Sequence, residues 1–148
     1  VFFASSLLFG LWHVASSLNL TASNAGLTAF LGSGTAAHQL HALEWLHHTD
    51  ITYSGDLDAA GFAILNAVRA HFPHTKSLLM DTATVTAFQH LAVPDPGDGS
   101  ATLTHLTTEE DRAYRQLFTA GRLRIEQERI PFSHASAAIV EIYGRTQL

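Results

Sequence analysis

The sequence predicts an α/β domain with a central, mostly parallel sheet of four strands flanked by helices, followed by a helical and extended carboxy-terminal extension. Short β-branched and aromatic runs alternate with runs of helical period through residues 1–92, and such alternation closes most readily as parallel strands joined by right-handed crossovers. The strand candidates are apolar throughout instead of alternating with polar residues, as expected where both sheet faces are covered. At Val93-Pro94-Asp95-Pro96-Gly97-Asp98-Gly99-Ser100 the character changes to a turn-rich loop. Residues 1–92 are therefore read as the α/β core and 93–148 as an extension packed on it within a single domain.

Val1-Phe2-Phe3-Ala4 reads as the first strand, and Leu7, Leu8, Leu11, Trp12 and Ala15 recur behind it at helical spacing. Asn19 to Gly26 is a polar connection. Leu27-Thr28-Ala29-Phe30-Leu31 forms a second strand closed by Gly32-Ser33-Gly34. The next helix carries Leu40, Leu43, Trp45 and Leu46, with Thr35 as its N-cap. A third strand, Ile51-Thr52-Tyr53, stops at Ser54-Gly55, and an acidic turn holding Asp56 and Asp58 leads into a helix with Phe62, Ile64, Leu65 and Val68. That helix ends before Pro73, because the residue preceding a proline is pushed out of the helical region. Ser77-Leu78-Leu79-Met80-Asp81 is the fourth strand. In the extension, Thr107 and Glu110 form a Thr-x-x-Glu capping box for a helix carrying Tyr114, Leu117 and Phe118. Leu123 to Phe132 mixes charged with apolar residues, and Ser136 to Tyr143 is helical.

The chain has 8 Lys+Arg against 13 Asp+Glu, a net charge of −5. This excludes DNA binding by global charge alone, so a nucleic-acid contact would be local, metal-assisted or supplied by a partner. Without cysteine there is no disulfide, thiolate metal site or cysteine nucleophile, a composition compatible with the cytoplasm. The apolar run Val1 to Trp12 lacks a basic leader and is interrupted by His13, short of the ~20 residues a membrane span needs, so no membrane association is expected. The first residue is Val1, which points to an alternative start codon or to a piece of a longer chain.

The acidic turn holds the leading chemical candidate. In an open α/β sheet, ligands sit outside the carboxyl ends of strands. Two carboxylates one residue apart, Asp56 and Asp58, suit a hard cation bound through oxygen. The bland alternative is that Asp58 caps the following helix while Asp56 occupies a polar turn; the two roles are compatible. Asp81 ends the next strand and is a further candidate ligand, with a helix cap as its alternative. Glu126 and Glu128 share one face of an extended segment with Arg122 and Arg124, opposite Leu123 and Ile125; the default reading is a solvated strand edge. Arg69 and Lys76 are read as solvated cations, with phosphate contact as the alternative. Gly32-Ser33-Gly34 could meet a phosphate, although a plain turn is the simpler reading. His38 and His41 share a helix face, but a third clustered ligand and a His-Glu-x-x-His motif are both missing, which argues against zinc. Without a Gly-x-Ser-x-Gly elbow, a serine hydrolase is disfavoured.

The order strand-helix, strand-Gly-x-Gly-helix, strand-Asp-x-Asp-helix, strand resembles the Toprim fold of topoisomerases, primases and related nucleases. More closely, Tyr53-Ser54-Gly55-Asp56-Leu57-Asp58-Ala59-Ala60-Gly61-Phe62-Ala63-Ile64-Leu65, Arg69, Phe72-Pro73, Ser77-Leu78-Leu79-Met80-Asp81 and Glu126-Gln127-Glu128-Arg129-Ile130-Pro131 resemble the carboxy-terminal domain of the nuclease subunit of Wadjet plasmid-defence systems, itself similar to the A subunit of topoisomerase VI. The resemblance implies a Rossmann-like Toprim domain that cleaves DNA strands with Mg²⁺, or Mn²⁺ in its place, held by Asp56, Asp58 and an acid at the end of the first strand. That acid falls at or near Ser5, and no Glu precedes Glu44. The expected site is therefore short of one acid, which Glu126 or Glu128 would have to replace. The resemblance further implies a DNA partner reached through a larger chain or complex, with self-association open. The competing expectation is a catalytically inactive Toprim-like structural or protein-interaction module.

Overall fold

The computed structural model describes residues 6–9, 27–30, 43–97, 99 and 101–143. Four strands pair in parallel in the order β2-β1-β3-β4: β1 (Ser6–Phe9), β2 (Leu27–Phe30), β3 (Asp50–Tyr53) and β4 (Lys76–Ser77). In β1 the register aligns Ser6 with Asp50 and Phe9 with Tyr53. This corrects the expected start of the fold. The strand occupies Ser6–Phe9, where the sequence has helical spacing, and its carboxyl end is Phe9, not the neighbourhood of Ser5. Val1 to Ser5, the remainder of the expected first helix, the 19–26 connection, Gly32 to Gly34, Thr35, His38 and His41 lie outside the described residues.

Before β3 the chain makes a short 3₁₀ turn, Glu44–His48, that buries Leu46 and leaves Trp45 half exposed. Helix α1 (Ala59–His71) follows the acidic turn and ends at Phe72, before Pro73, as the sequence requires. Its apolar face buries Phe62, Leu65 and Val68. The fourth strand is shorter than expected. Leu78 still donates to the Tyr53 carbonyl at 2.8 Å, but Leu79 adopts a φ of 59° and turns the chain away. Asp81 therefore stands at the start of α2 (Thr82–Phe88) and not at a strand end.

The stretch expected to be only loop contributes β5 (Val93–Pro94), which pairs antiparallel with β6 (Leu123–Arg124). Between them runs α3 (Thr108–Thr119), opened by the capping box of Thr107 and Glu110. The last helix, α4 (Phe132–Tyr143), begins four residues before the expected Ser136. Ala113, Leu117, Ile125 and Ile130 pack in the same apolar cluster as Ile51, Phe62, Leu65 and Met80. Among the described residues no helix is long and apolar enough to cross a membrane.

Candidate functional site

The site is the junction between the turn after β3 and the strand-like segment after β6. Leu57, at the centre of the acidic turn, forms an antiparallel bridge with Ile125. The Leu57 amide donates to the Ile125 carbonyl at 3.0 Å, and the Ile125 amide donates back at 3.1 Å. Both side chains are fully buried. Alternation across such a bridge puts the flanking residues on the opposite face, so Asp56 stands across from Glu126, and Asp58 across from Arg124. The bridge thus turns two acidic spacings that are remote in sequence into one charged face.

Each aspartate is anchored by a backbone amide. The Gln127 N–H donates to Asp56 Oδ1 at 2.8 Å, and the Gly61 N–H donates to Asp58 Oδ1 at 2.6 Å, which makes Asp58 the N-cap of α1. Each bond occupies one carboxylate oxygen. Burial pushes the Asp56 pKa up; the Gln127 amide opposes this, while the charges of Asp58, Glu128 and Glu126 add to it. Burial likewise raises Asp58 against the pull of the Gly61 amide, with Asp95 raising it further and Arg124 lowering it. Asp95 reaches the same turn by accepting from the Ala59 N–H at 3.0 Å. In the sequence Asp95 is only part of a loop, because the β5–β6 pairing that positions it leaves no mark in a two-residue strand.

Glu126 and Glu128 part company here. Arg124 donates to Glu126 at 2.7 Å, in line with a shared face, but the chain then turns into a 3₁₀ segment, Gln127–Arg129. The extended reading therefore stops at Glu126, and Glu128 is exposed. The residue between them enters the site instead. Besides its backbone bond to Asp56, Gln127 is 8% exposed and donates through Nε2 to the Ser54 hydroxyl, which itself donates to the Leu78 carbonyl at 3.1 Å. Its Oε1 is buried without a hydrogen-bond partner. The sequence signal for Gln127 is its place between two charges in the Glu126-Gln127-Glu128 block.

Tyr53 folds back over Gly55, where a Cβ would overlap the phenol oxygen. This close approach explains the glycine. Burial, then the charges of Asp56 and Asp58, push the phenol pKa up, so it stays protonated.

Asp81 caps α2, accepting from the Thr84 N–H at 2.7 Å. It lines a groove between α2 and α4 with His134 and Glu141, separate from the crevice that Asp58 and Asp95 line. Arg69 is not a solvated cation: it is buried in a forked ion pair with Glu110. Lys76 is exposed.

Among the described residues, no three Asp, Glu or His side chains come together as a metal-binding group. The fit to a divalent cation is thus two carboxylates, one of them held by the backbone of Gln127, a residue whose own buried amide oxygen lacks a partner; oxygen donors of this kind suit Mg²⁺. A search of curated proteins finds no match to the chain. The family model described as "Wadjet protein JetD, C-terminal" matches residues 15–139, a span containing both the Asp56–Asp58 turn and the Glu126–Glu128 block. With most of its length matched and the two blocks brought into contact by the fold, the chain belongs to the JetD C-terminal family.

Proposed function

We propose that this domain cleaves DNA strands in a plasmid-defence system, using Mg²⁺ or Mn²⁺ held by Asp56 and Asp58. The observation that carries the reading is the pair itself: a half-buried Asp56 and a buried Asp58, each fixed by a backbone amide, with the charge of Asp58 opposing ionisation of Asp56, at the carboxyl end of a parallel strand in a JetD-family chain. Groups arranged so that their ionisation is opposed are typical of functional sites. The bound cation would supply a positive charge to polarise a phosphodiester oxygen and stabilise charge on the attacking and leaving oxygens. The chain's own part is preorganisation. Gln127 and Gly61 fix the carboxylates before any ligand arrives, and the Leu57–Ile125 bridge keeps them on one face. A Rossmann-like Toprim fold and kinship with the topoisomerase VI A subunit belong to the same reading, supported by the parallel strand order and the Asp-x-Asp turn. With a net charge of −5, duplex DNA would be held mainly by a larger chain or a partner complex in the cytoplasm.

The test is incubation of supercoiled plasmid with Mg²⁺ or Mn²⁺. Wild type is expected to give nicked or linear product, and Asp56→Ala and Asp58→Ala are expected to give none. Equal cutting by all three proteins overturns the reading. A second reading, a non-catalytic Toprim-like interaction module, is favoured by the lack of a third carboxylate beside the pair among the described residues. It predicts no cutting by any of the three under either cation.

A further inference from the structure

The charge pattern of the site raises a question of completeness. Two carboxylates give a divalent ion charge balance but few ligands, and the acids nearest in sequence do not supply the third. Glu126 is paired with Arg124 at 2.7 Å, Glu128 is exposed on the 3₁₀ turn, and no third Asp, Glu or His among the described residues joins the pair. One oxygen of the residue whose backbone holds Asp56 is nevertheless unspent. Gln127 Oε1 is buried and accepts nothing, although the rest of the residue is fully engaged with the acidic turn: its amide N–H holds Asp56 Oδ1, and its Nε2 holds the Ser54 hydroxyl. Ser54 donates its own proton to Leu78, so its oxygen can only accept. This fixes the amide orientation, nitrogen towards Ser54 and oxygen away from it. Buried carbonyl oxygens without partners are rare in folded proteins, and an amide oxygen is a good ligand for a hard cation.

We propose that Gln127 contributes Oε1 as the third protein oxygen of the divalent-cation site formed by Asp56 and Asp58. This rests on the reading of that pair as a cation site. A neutral amide suits the position, because Asp56 is already surrounded by the negative charges of Asp58, Glu126 and Glu128. A third carboxylate would add repulsion in the empty site, whereas the amide adds a ligand without adding charge.

The test is Mn²⁺ affinity, measured by titration with detection of free ion by electron paramagnetic resonance, on the full chain and independently of DNA cleavage. Gln127→Leu removes the oxygen, together with the nitrogen that holds Ser54; it is expected to bind Mn²⁺ at least about tenfold more weakly. Gln127→Glu places an anionic oxygen at the same point and is expected to bind more tightly than wild type. Circular dichroism and thermal melts check that each variant folds, and where Gln127→Leu does not fold, Gln127→Glu carries the test. Unchanged affinity in a folded Gln127→Leu, or no gain in Gln127→Glu, overturns the role of Gln127 while leaving the aspartate site standing. Wild-type affinity retained in Asp56→Asn and Asp58→Asn, or no Mn²⁺ bound by wild type, overturns the site reading and this inference with it.

Discussion

Asp56 carries a charge that its surroundings oppose, since burial and the neighbouring carboxylates outweigh the bond from Gln127. Its folded pKa lies above the unfolded one, so the folded state holds the proton more tightly and ionisation at neutral pH subtracts from stability. This contribution is most favourable below the ordinary carboxylate range and declines as pH rises through the folded value. Asp56→Asn retains an acceptor for the Gln127 amide and removes the charge. It is expected to raise Tm at pH 7, and the gain should vanish near pH 3, about a unit below the ordinary Asp pKa; an equal Tm at both pH values for variant and wild type would contradict the argument. A divalent cation should raise the wild-type Tm by binding the folded state only, with the shift lost in Asp56→Asn. Asp58 has a second duty as the N-cap of α1. Asp58→Ala should cost about 1 kcal/mol, while Asp58→Asn, itself a good cap, should not.

Helix α1 is placed by contacts that helix propensity does not foretell. At Gly61 a Cβ would overlap the Asp56 carbonyl oxygen, so α1 begins in direct contact with the acidic turn. Alanine is the better helix former by about 1 kcal/mol, yet Gly61→Ala is expected to destabilise the protein by roughly 1–3 kcal/mol through overpacking, as read by urea denaturation. The opposite end of α1 is tied to α3. Arg69 forks onto Glu110, which also accepts from the Ser77 hydroxyl at 2.5 Å and the Thr107 amide at 2.7 Å. Burial pushes the Glu110 carboxyl up, but the bonds from Arg69, Ser77 and Thr107 and the Arg69 charge pull it further down, leaving it below the ordinary Glu range. Its stabilising effect is present above the unfolded pKa and is lost as pH falls through the folded one. Glu110→Leu alone strands a buried guanidinium and should cost roughly 3–5 kcal/mol, whereas Arg69→Met combined with Glu110→Leu should recover only part of the loss, since the Ser77 hydroxyl and the Thr107 amide still lack their acceptor. A double variant as unstable as the single one would show that the pair does more than neutralise itself.

Across the whole molecule, one apolar cluster joins residues before and after the change of character at Val93. A chain cut to residues 1–92 loses Leu117, Ile125 and Ile130 from that cluster, along with the partner of Leu57. It is expected to melt without a cooperative transition, and a sharp melt would show that the earlier part folds by itself. The negative net charge bears on partners. Duplex affinity of the isolated chain should be weaker than the roughly 10⁻⁴–10⁻⁶ M of ordinary non-specific binders at physiological salt, as fluorescence anisotropy would show.

The sequence by itself determined the α/β class, helix α1 and its end before Pro73, the capping box at Thr107, and the acidic pair at Asp56 and Asp58. These follow from local rules: periodicity, caps, and the limits proline sets on its neighbour. Tertiary structure alone decided which distant residues reach the pair. The two-residue strands β4, β5 and β6 are too short to leave a period, and Leu79 leaves the strand through a φ that its side chain does not announce. Arg69 reads as a surface cation until Glu110 is placed beside it, 41 residues further along the chain. Gln127 reads as a spacer between two glutamates until the Leu57–Ile125 bridge brings it to Asp56, 71 residues away. Burial and pairing at long range are properties of the packed chain, and the chemistry of this site depends on both.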